Sequence, residues 1–317
     1  MTFNSSDSLK ADLDLLYSDD DTDEIGKVSS VSEYIKIIDG IEDGTFYRGQ
    51  GDARWRIMSS LTRATTPRKD DYRNKKKHNS INFEKLNSQI KLRINDVFNT
   101  YVLFKNNLPS YMDEISSKEF LINSNLSTLL LAQHYGLPTR FIDLTINPLV
   151  ALYFSVSEST KETEVPAAVF TYDSDVYLTG DEFDYAINKF AESHISNHEI
   201  AKPMNFKEIA KLSSYNYRFM SVEKKLPITD DLCIEHYPFD KRMHSQECLF
   251  LFHHDYGKPF LPKNKSSLRK ILIKEPYKIK KELIKLGVLE SKIYPSLSGY
   301  ANSLINKKIS SDISFFD

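Results

Sequence analysis

The residues with most chemistry to offer lie in the run Tyr47-Arg48-Gly49-Gln50-Gly51-Asp52. An arginine ending an extended stretch, with two glycines close behind it, presents a planar cationic fork beside backbone that a ligand can approach closely. Such a fork grips a diphosphate or a carboxylate through two parallel hydrogen bonds. The same residues also fit a structural role, with the arginine paired to a carboxylate and the glycines only turning the chain. A second group lies in AQHYGLPTRFIDLTINPLVALYF, residues 132–154. His134, Tyr135 and Arg140 can line one cleft there, because the Gly136-Leu137-Pro138 turn brings a helix end and a strand end together. Asp143 is the carboxylate of this stretch. Beside Arg140 it suits either a catalytic acid or a structural ion pair.

Other chemistries find no footing. The chain has no GxxxxGK[ST] and no GxGxxG, so neither a P-loop nor a dinucleotide-binding turn is written in it. A GxSxG nucleophile elbow is also missing. His194 and His198 stand four apart, which aligns two imidazoles on a helix, but no Glu follows His194 and no third ligand lies nearby. His253-His254-Asp255 is no stronger. No metal is expected. The two cysteines, Cys233 and Cys248, have no CxxC spacing and cannot build a disulfide framework, which suits a reducing compartment.

Elements must position these groups, and the hydrophobic pattern outlines most of them. Ser30 or Ser32 can cap a helix carrying Tyr34, Ile37, Ile38 and Ile41. Gly44 ends it, and Thr45 to Gly49 continues as a short strand. Phe83, Leu86, Ile90, Ile94, Val97, Phe98 and Tyr101 keep helical spacing over a long helix from Asn82 to Asn106. Leu126 to Tyr135 is a second apolar helix, stopped by Gly136 and Pro138. Thr139 to Thr145 reads as a strand. Asn147 is a good N-cap, and Pro148 takes the first helical position, where its missing N–H costs nothing. Residues 166–172 and 247–253 read as buried strands. Leu268 to Ile273 reads as another, followed by a basic amphipathic helix from Tyr277 to Leu286. Residues 64–80 read as an exposed loop, and 174–245 give no clear pattern. Helices and strands alternate without a βαβ period, which predicts an α+β fold of small mixed or antiparallel sheets flanked by helices.

Charge is unevenly spread although the net is only -2. The first 25 residues hold eight acids against Lys10, while 258–285 hold ten Lys or Arg against Glu275 and Glu282. The expected organisation is an acidic flexible N-terminal arm over 1–25, in which Leu9, Leu13, Leu15 and Leu16 allow one short helix, and one domain over 26–317. The basic segments 67–78 and 258–285 can bind nucleic acid, or can simply be solvated. No stretch approaches the roughly 20 apolar residues of a membrane span, and the start of the chain lacks a secretory pattern. A cytoplasmic location is therefore expected, with no membrane contact. The sequence carries no signal for an oligomeric state.

At this point the chain resembles a family. FYRG at 46–49, the W-x-I-M-S-S-L-x-R run at 55–63 and the long run at 132–154 are similar to the FRG domain, named after its Phe/Tyr-Arg-Gly motif. RMHSQECLFLF at 242–252 and LGVLESKIYPSLSGYANSL at 286–304 look like its later elements, so the resemblance spans about residues 30–304. The chain departs from the family in carrying Asp143-Leu144-Thr145 for the usual Asp-Trp-Thr, and Ser296 and Ser298 where acids are usual. Glu247 also stands in a region where the family commonly shows Gln-x-Gly. A weaker resemblance links the order Tyr-Arg-Gly, hydroxyl strand, Glu to ADP-ribosyltransferases. It implies an ADP-ribosyltransferase-like fold and an NAD-consuming activity, which a toxin or phage-defence role would fit. Arg48, flanked by Tyr47 and Gly49, would hold the NAD phosphates. Thr145 would mark the hydroxyl strand. Glu247, or Asp143 in its place, would stabilise the ribosyl cation, and Gln246 would position the acceptor. The alternative is a non-catalytic module that holds a nucleotide or another phosphate ligand, or a protein associated with nucleic acid.

Overall fold

The computed structural model describes residues 6–114, 124–174, 177–181, 231–235, 238, 240–253, 255 and 257–308. His194, His198 and His254 lie outside them.

The first helix, α1 (Ser6–Tyr17), corrects the expectation of a flexible arm. Its Leu9, Leu13 and Leu16 share one face and bury against Leu61, Tyr72, Ile90 and Ile94. Nearby acids are spent on ion pairs rather than on solvent. Asp14 meets Lys76 at 2.6 Å, and Asp19 meets Lys69 and Arg73 at 3.2 Å each. Strand β1 (Asp23–Val28) then carries the same acidic segment into the sheet. Ser30 caps α2 (Val31–Ile38) by accepting from the Glu33 N–H, and the Glu33 carboxylate accepts from the Ser29 N–H at 2.7 Å. Strand β2 (Phe46–Gln50) follows.

Ser59 caps the short α3 (Ser60–Thr65). The expected loop at 64–80 contains a further helix, α4 (Lys69–Lys77). Tyr72 explains it: buried in the α1 core, its ring lies 5.2 Å from that of Tyr17 and its hydroxyl donates to Asp14 at 2.8 Å. Tertiary packing here overrides a strongly polar local sequence. The long helix α5 (Phe83–Asn107) agrees with its spacing, burying Ile90, Ile94, Phe98 and Tyr101. So do α6 (Asn125–His134) and β3 (Phe141–Thr145). The Asn147 side-chain Oδ1 accepts from the N–H groups of Leu149 and Val150, capping α7 (Pro148–Val156). The remaining described elements are β4 (Ala167–Tyr172), β5 (Tyr177–Thr179), β6 (Leu232–Glu235), α8 (Lys241–Ser245), β7 (Cys248–Phe252), β8 (Leu268–Ile273), α9 (Pro276–Lys285), α10 (Glu290–Ile293) and α11 (Leu297–Lys308).

The α+β expectation holds, but among the described residues the strands join in one mixed sheet instead of several small ones. Its eight strands run in the order β1-β8-β4-β2-β3-β7-β6-β5, flanked by helices. β4 lies deep in it, buried at every position, which is why its sequence AAVFTY shows no polar alternation. Helices α2, α7 and α9 cover the half containing β4 and β8, around Tyr34, Tyr47, Ala151, Val169 and Ile271. Helices α5 and α6 cover the half containing β3 and β7, around Phe98, Leu130, Phe141, Phe250 and Phe252.

The seam between these halves positions the site. β2 pairs with β4 over five residues, and β3 pairs with β7 over five, but β2 and β3 share one register pair, Tyr47 with Thr145. Arg48 therefore stands where the sheet is least closed.

Candidate functional site

Side chains alternate along β2, so Tyr47 and Gly49 face α7 while Arg48 points to the opposite side. An added Cβ at Gly49 would lie 2.0 Å from the Ala151 carbonyl oxygen. The glycine is there because the α7 backbone takes the space, and this contact sets the height of β2 against the helix. Tyr47 belongs to the same core, with its phenol pushed up by burial.

The Arg48 guanidinium reaches into the open seam, where Nη1 donates to the Asp143 carbonyl oxygen at 2.7 Å. A side chain thus supplies a donor that a closed strand pair would have supplied from its backbone. Arg48 enters no ion pair among the described residues, and its Nε is buried without a hydrogen-bond partner. Burial pulls its pKa down to about 10; the Asp143 carboxylate draws it back up and Arg63 pushes it further down. Arg63 is lowered for the same first reason, with Asp143 again opposing. Its Nη1 donates to the Met58 carbonyl oxygen at 2.7 Å, and it too enters no ion pair among the described residues. The two guanidiniums disfavour one another, and neither has a carboxylate within ion-pair distance among the described residues, although the Asp143 charge acts on both.

Two adjoining hollows share Arg48, Met58 and Arg63 as a common wall. The larger, about 470 Å³, is also lined by Trp55, Arg56, Arg68 and Lys69. Within it Arg56 is held by Asp21 at 2.8 Å and Lys69 by Asp19. Arg68 has no ion pair among the described residues. Trp55 is 52% exposed, a large ring left at the rim. The smaller hollow, about 200 Å³, adds Ser60, Gln133, Gly136, Phe141 and Asp143. There Gln133 Nε2 donates to Asp143 Oδ1 at 2.5 Å, and the Thr139 hydroxyl donates to Gln133 Oε1. The amide holds the carboxylate at the rim with one oxygen unused by these bonds.

Of the residues singled out from the sequence, Arg48 and Asp143 come together here, and Gly49 lines the larger hollow while serving the packing of β2. The others lie elsewhere. Glu247 lines neither hollow; it sits in the turn before β7 with φ 46°, where Asn147 Nδ2 donates to its Oε1 at 2.7 Å. Thr145 donates to the Gln246 carbonyl oxygen at 2.7 Å, and the Gln246 amide donates to the Ile293 carbonyl oxygen, so these two tie β3 and α10 together. His134 Nε2 lies 2.7 Å from Asp240, whose pKa burial raises but the His134 hydrogen bond brings below its usual value overall. Tyr135 is exposed beside that imidazole, ring centroids 5.2 Å apart. Arg140 is buried with its guanidinium 5.9 Å from the Phe252 ring centre.

Arg63, Trp55, Gln133 and Ser60 escaped attention as site residues. The signal for two of them was present. Ser59 caps α3, so Ser60 and Arg63, three apart, fall on one helical face. In the basic run at 258–285, Lys258, Arg269, Lys270 and Lys278 are engaged with Asp255, Asp173, Asp20 and Glu275.

Among the described residues no group of three or more His, Cys, Asp or Glu side chains could hold a metal ion. No described helix is long and apolar enough to cross a membrane. A family model for the FRG domain matches residues 43–164, which include β2, α3, α6, β3 and α7 and so both hollows' shared wall. No curated protein and no solved structure matches the chain.

Proposed function

The chain contains an FRG domain, and we propose that this domain binds a nucleotide-type ligand, its phosphates on Arg48 and Arg63. One observation carries the reading: Arg48 is a half-buried guanidinium in a seam of the sheet, with Nε unpartnered and no carboxylate in ion-pair distance. A buried donor left unsatisfied is rare and calls for a partner that the folded chain does not supply. A phosphate offers several acceptor oxygens and enough charge to offset two mutually repelling guanidiniums. On one side of this pair, Arg68 extends the cationic wall and the Trp55 ring is available for a base to stack on. On the other side, the Asp143 carboxylate can accept hydrogen bonds from sugar hydroxyls.

Calorimetry with NAD, ADP-ribose and ATP tests this. Arg48→Ala should weaken binding ~10- to 150-fold, the equivalent of the ~1.5–3 kcal/mol carried by a charged hydrogen bond. Glu247→Gln should leave it unchanged. If none of the three ligands binds at millimolar concentration, or if Arg48→Ala binds as well as the parent, the proposal fails.

A second reading, cleavage of the nicotinamide–ribose bond of NAD, draws support from Asp143. A carboxylate held by Gln133 at the rim of a phosphate-holding hollow can stabilise positive charge developing on a sugar. Asp143→Asn should then abolish NAD loss while retaining NAD binding. Loss of NAD at the parental rate in that variant would discard Asp143 as the catalytic group.

A further inference from the structure

A third and larger hollow, about 1140 Å³, lies between α4 and α5 and shares Arg63, Thr66, Pro67 and Arg68 with the one beside Trp55. We infer that this trough takes a single-stranded nucleic acid whose terminal nucleotide occupies the Arg48–Arg63 site. The inference rests on the nucleotide reading and specifies its ligand as a chain of nucleotides.

The cations of α4 are sorted by face. Lys69, Arg73 and Lys76 turn to α1 and pair with Asp19 and Asp14. Lys75 lines the trough with Arg68, which precedes the helix, and neither has an ion pair among the described residues. Across from them, Lys85, Gln89 and Arg93 repeat every fourth residue of α5, all exposed. At 1.5 Å rise per residue they make one row ~12 Å long. Arg63 stands where the trough meets the neighbouring hollow. Five cations thus line it against one acid, Asp71.

The N-terminal acids neutralise one face of α4 and leave the other face charged. Ile81, Leu86 and the exposed Leu92 give the lining some apolar surface, and Gln89 offers an amide to base edges. Cations that track a phosphate backbone along a groove hold a single strand without regard to its sequence, and the apolar side chains give its bases a surface to lie on. Continuity decides against an acidic peptide: the trough opens directly onto a hollow already suited to phosphate and base.

The test is fluorescence anisotropy of the full chain with a labelled single-stranded oligonucleotide of ~12 nucleotides, a length within the usual range of such sites. With about five phosphates neutralised, log affinity should fall against log salt with slope ~-3.5, or ~100-fold between 50 and 200 mM salt. The double variant Lys85→Ala, Arg93→Ala removes two exposed side chains and should flatten the slope by ~1.4. It should bind ADP-ribose as the parent does, which also reports that the fold is intact. An unchanged slope in that variant, or no oligonucleotide binding by a parent chain that binds ADP-ribose, would overturn the trough and leave the nucleotide site standing. Oligonucleotide binding that follows the expected slope without any ADP-ribose binding would keep the trough as a strand site but overturn the seat of the terminal nucleotide at Arg48 and Arg63, and with it the nucleotide reading. Equal binding of poly-glutamate, with the same loss in the double variant, would reassign the trough to acidic protein partners and overturn the inference.

Discussion

Alanine at Gly49 tests the contact that sets the position of Arg48. The new Cβ would lie 2.0 Å from the Ala151 oxygen, 2.6 Å from the Ser155 nitrogen and 3.1 Å from the Ala151 carbonyl carbon. Ordinary contact needs about 3.5 Å, so β2 and α7 must separate by more than an ångström. All three atoms are backbone, and no rotamer change relieves them. Overpacking of a core costs ~1–3 kcal/mol where side chains can adjust; with backbone on both sides, about 3 kcal/mol or more is expected. For a chain of this size that is a fall of ~1 M in the urea midpoint, taking a slope near 3 kcal/mol/M. The same motif provides its control. A Cβ at Gly51 would find only the Ser155 oxygen at 3.9 Å, an ordinary contact. Gly51→Ala should therefore be neutral or gain ~0.4–1 kcal/mol through the unfolded chain. Urea unfolding of the two variants side by side is the assay. A Gly49→Ala midpoint equal to the parent's, or equal losses at both glycines, would refute the claim that α7 sets the position of β2.

Two further outcomes are expected. Asp20 and Lys270 form an ion pair at 2.7 Å with both side chains nearly closed off, at 4% and 11% exposure; Asp20→Asn leaves a buried ammonium uncompensated and should cost ~3–5 kcal/mol. Glu24→Gln, which breaks the exposed pair with Lys27, should cost under ~1 kcal/mol, and similar urea midpoints for the two variants would defeat the comparison. Glu247→Gly relieves a left-handed backbone, φ 46°, that costs a non-glycine residue roughly 1 kcal/mol, and should raise stability by up to about that amount, while ADP-ribose affinity should stay at the parental value; a loss of affinity would bring Glu247 back into the site.

Much of the fold was legible because its signals are local. Helical spacing placed Ile90, Ile94, Phe98 and Tyr101 on the buried face of α5, and Asn147-Pro148 marked the start of α7 to the residue. The polar run at 64–80 misled for the opposite reason. Nothing local favours a helix there, and α4 exists because Tyr72 finds a core built with α1 and α5. The acidic start of the chain looked like a tail, but three of its acids met cations about fifty to two hundred and fifty residues away.

Within the site, sequence alone identified Arg48 and Asp143 as chemically capable groups, but the glycine beside Arg48, read as leaving room for a ligand, leaves room for the α7 backbone instead. Which carboxylate stands near that guanidinium was a tertiary matter. The single register pair between β2 and β3 opens the seam across 95 positions of chain, and that opening brings Arg48 to Asp143 while Glu247 turns to Asn147. Periodicity and capping act within a few residues and can be read from a string. Whether a carboxylate closes to ion-pair distance depends on every element packed around a group, and only the assembled fold decides it.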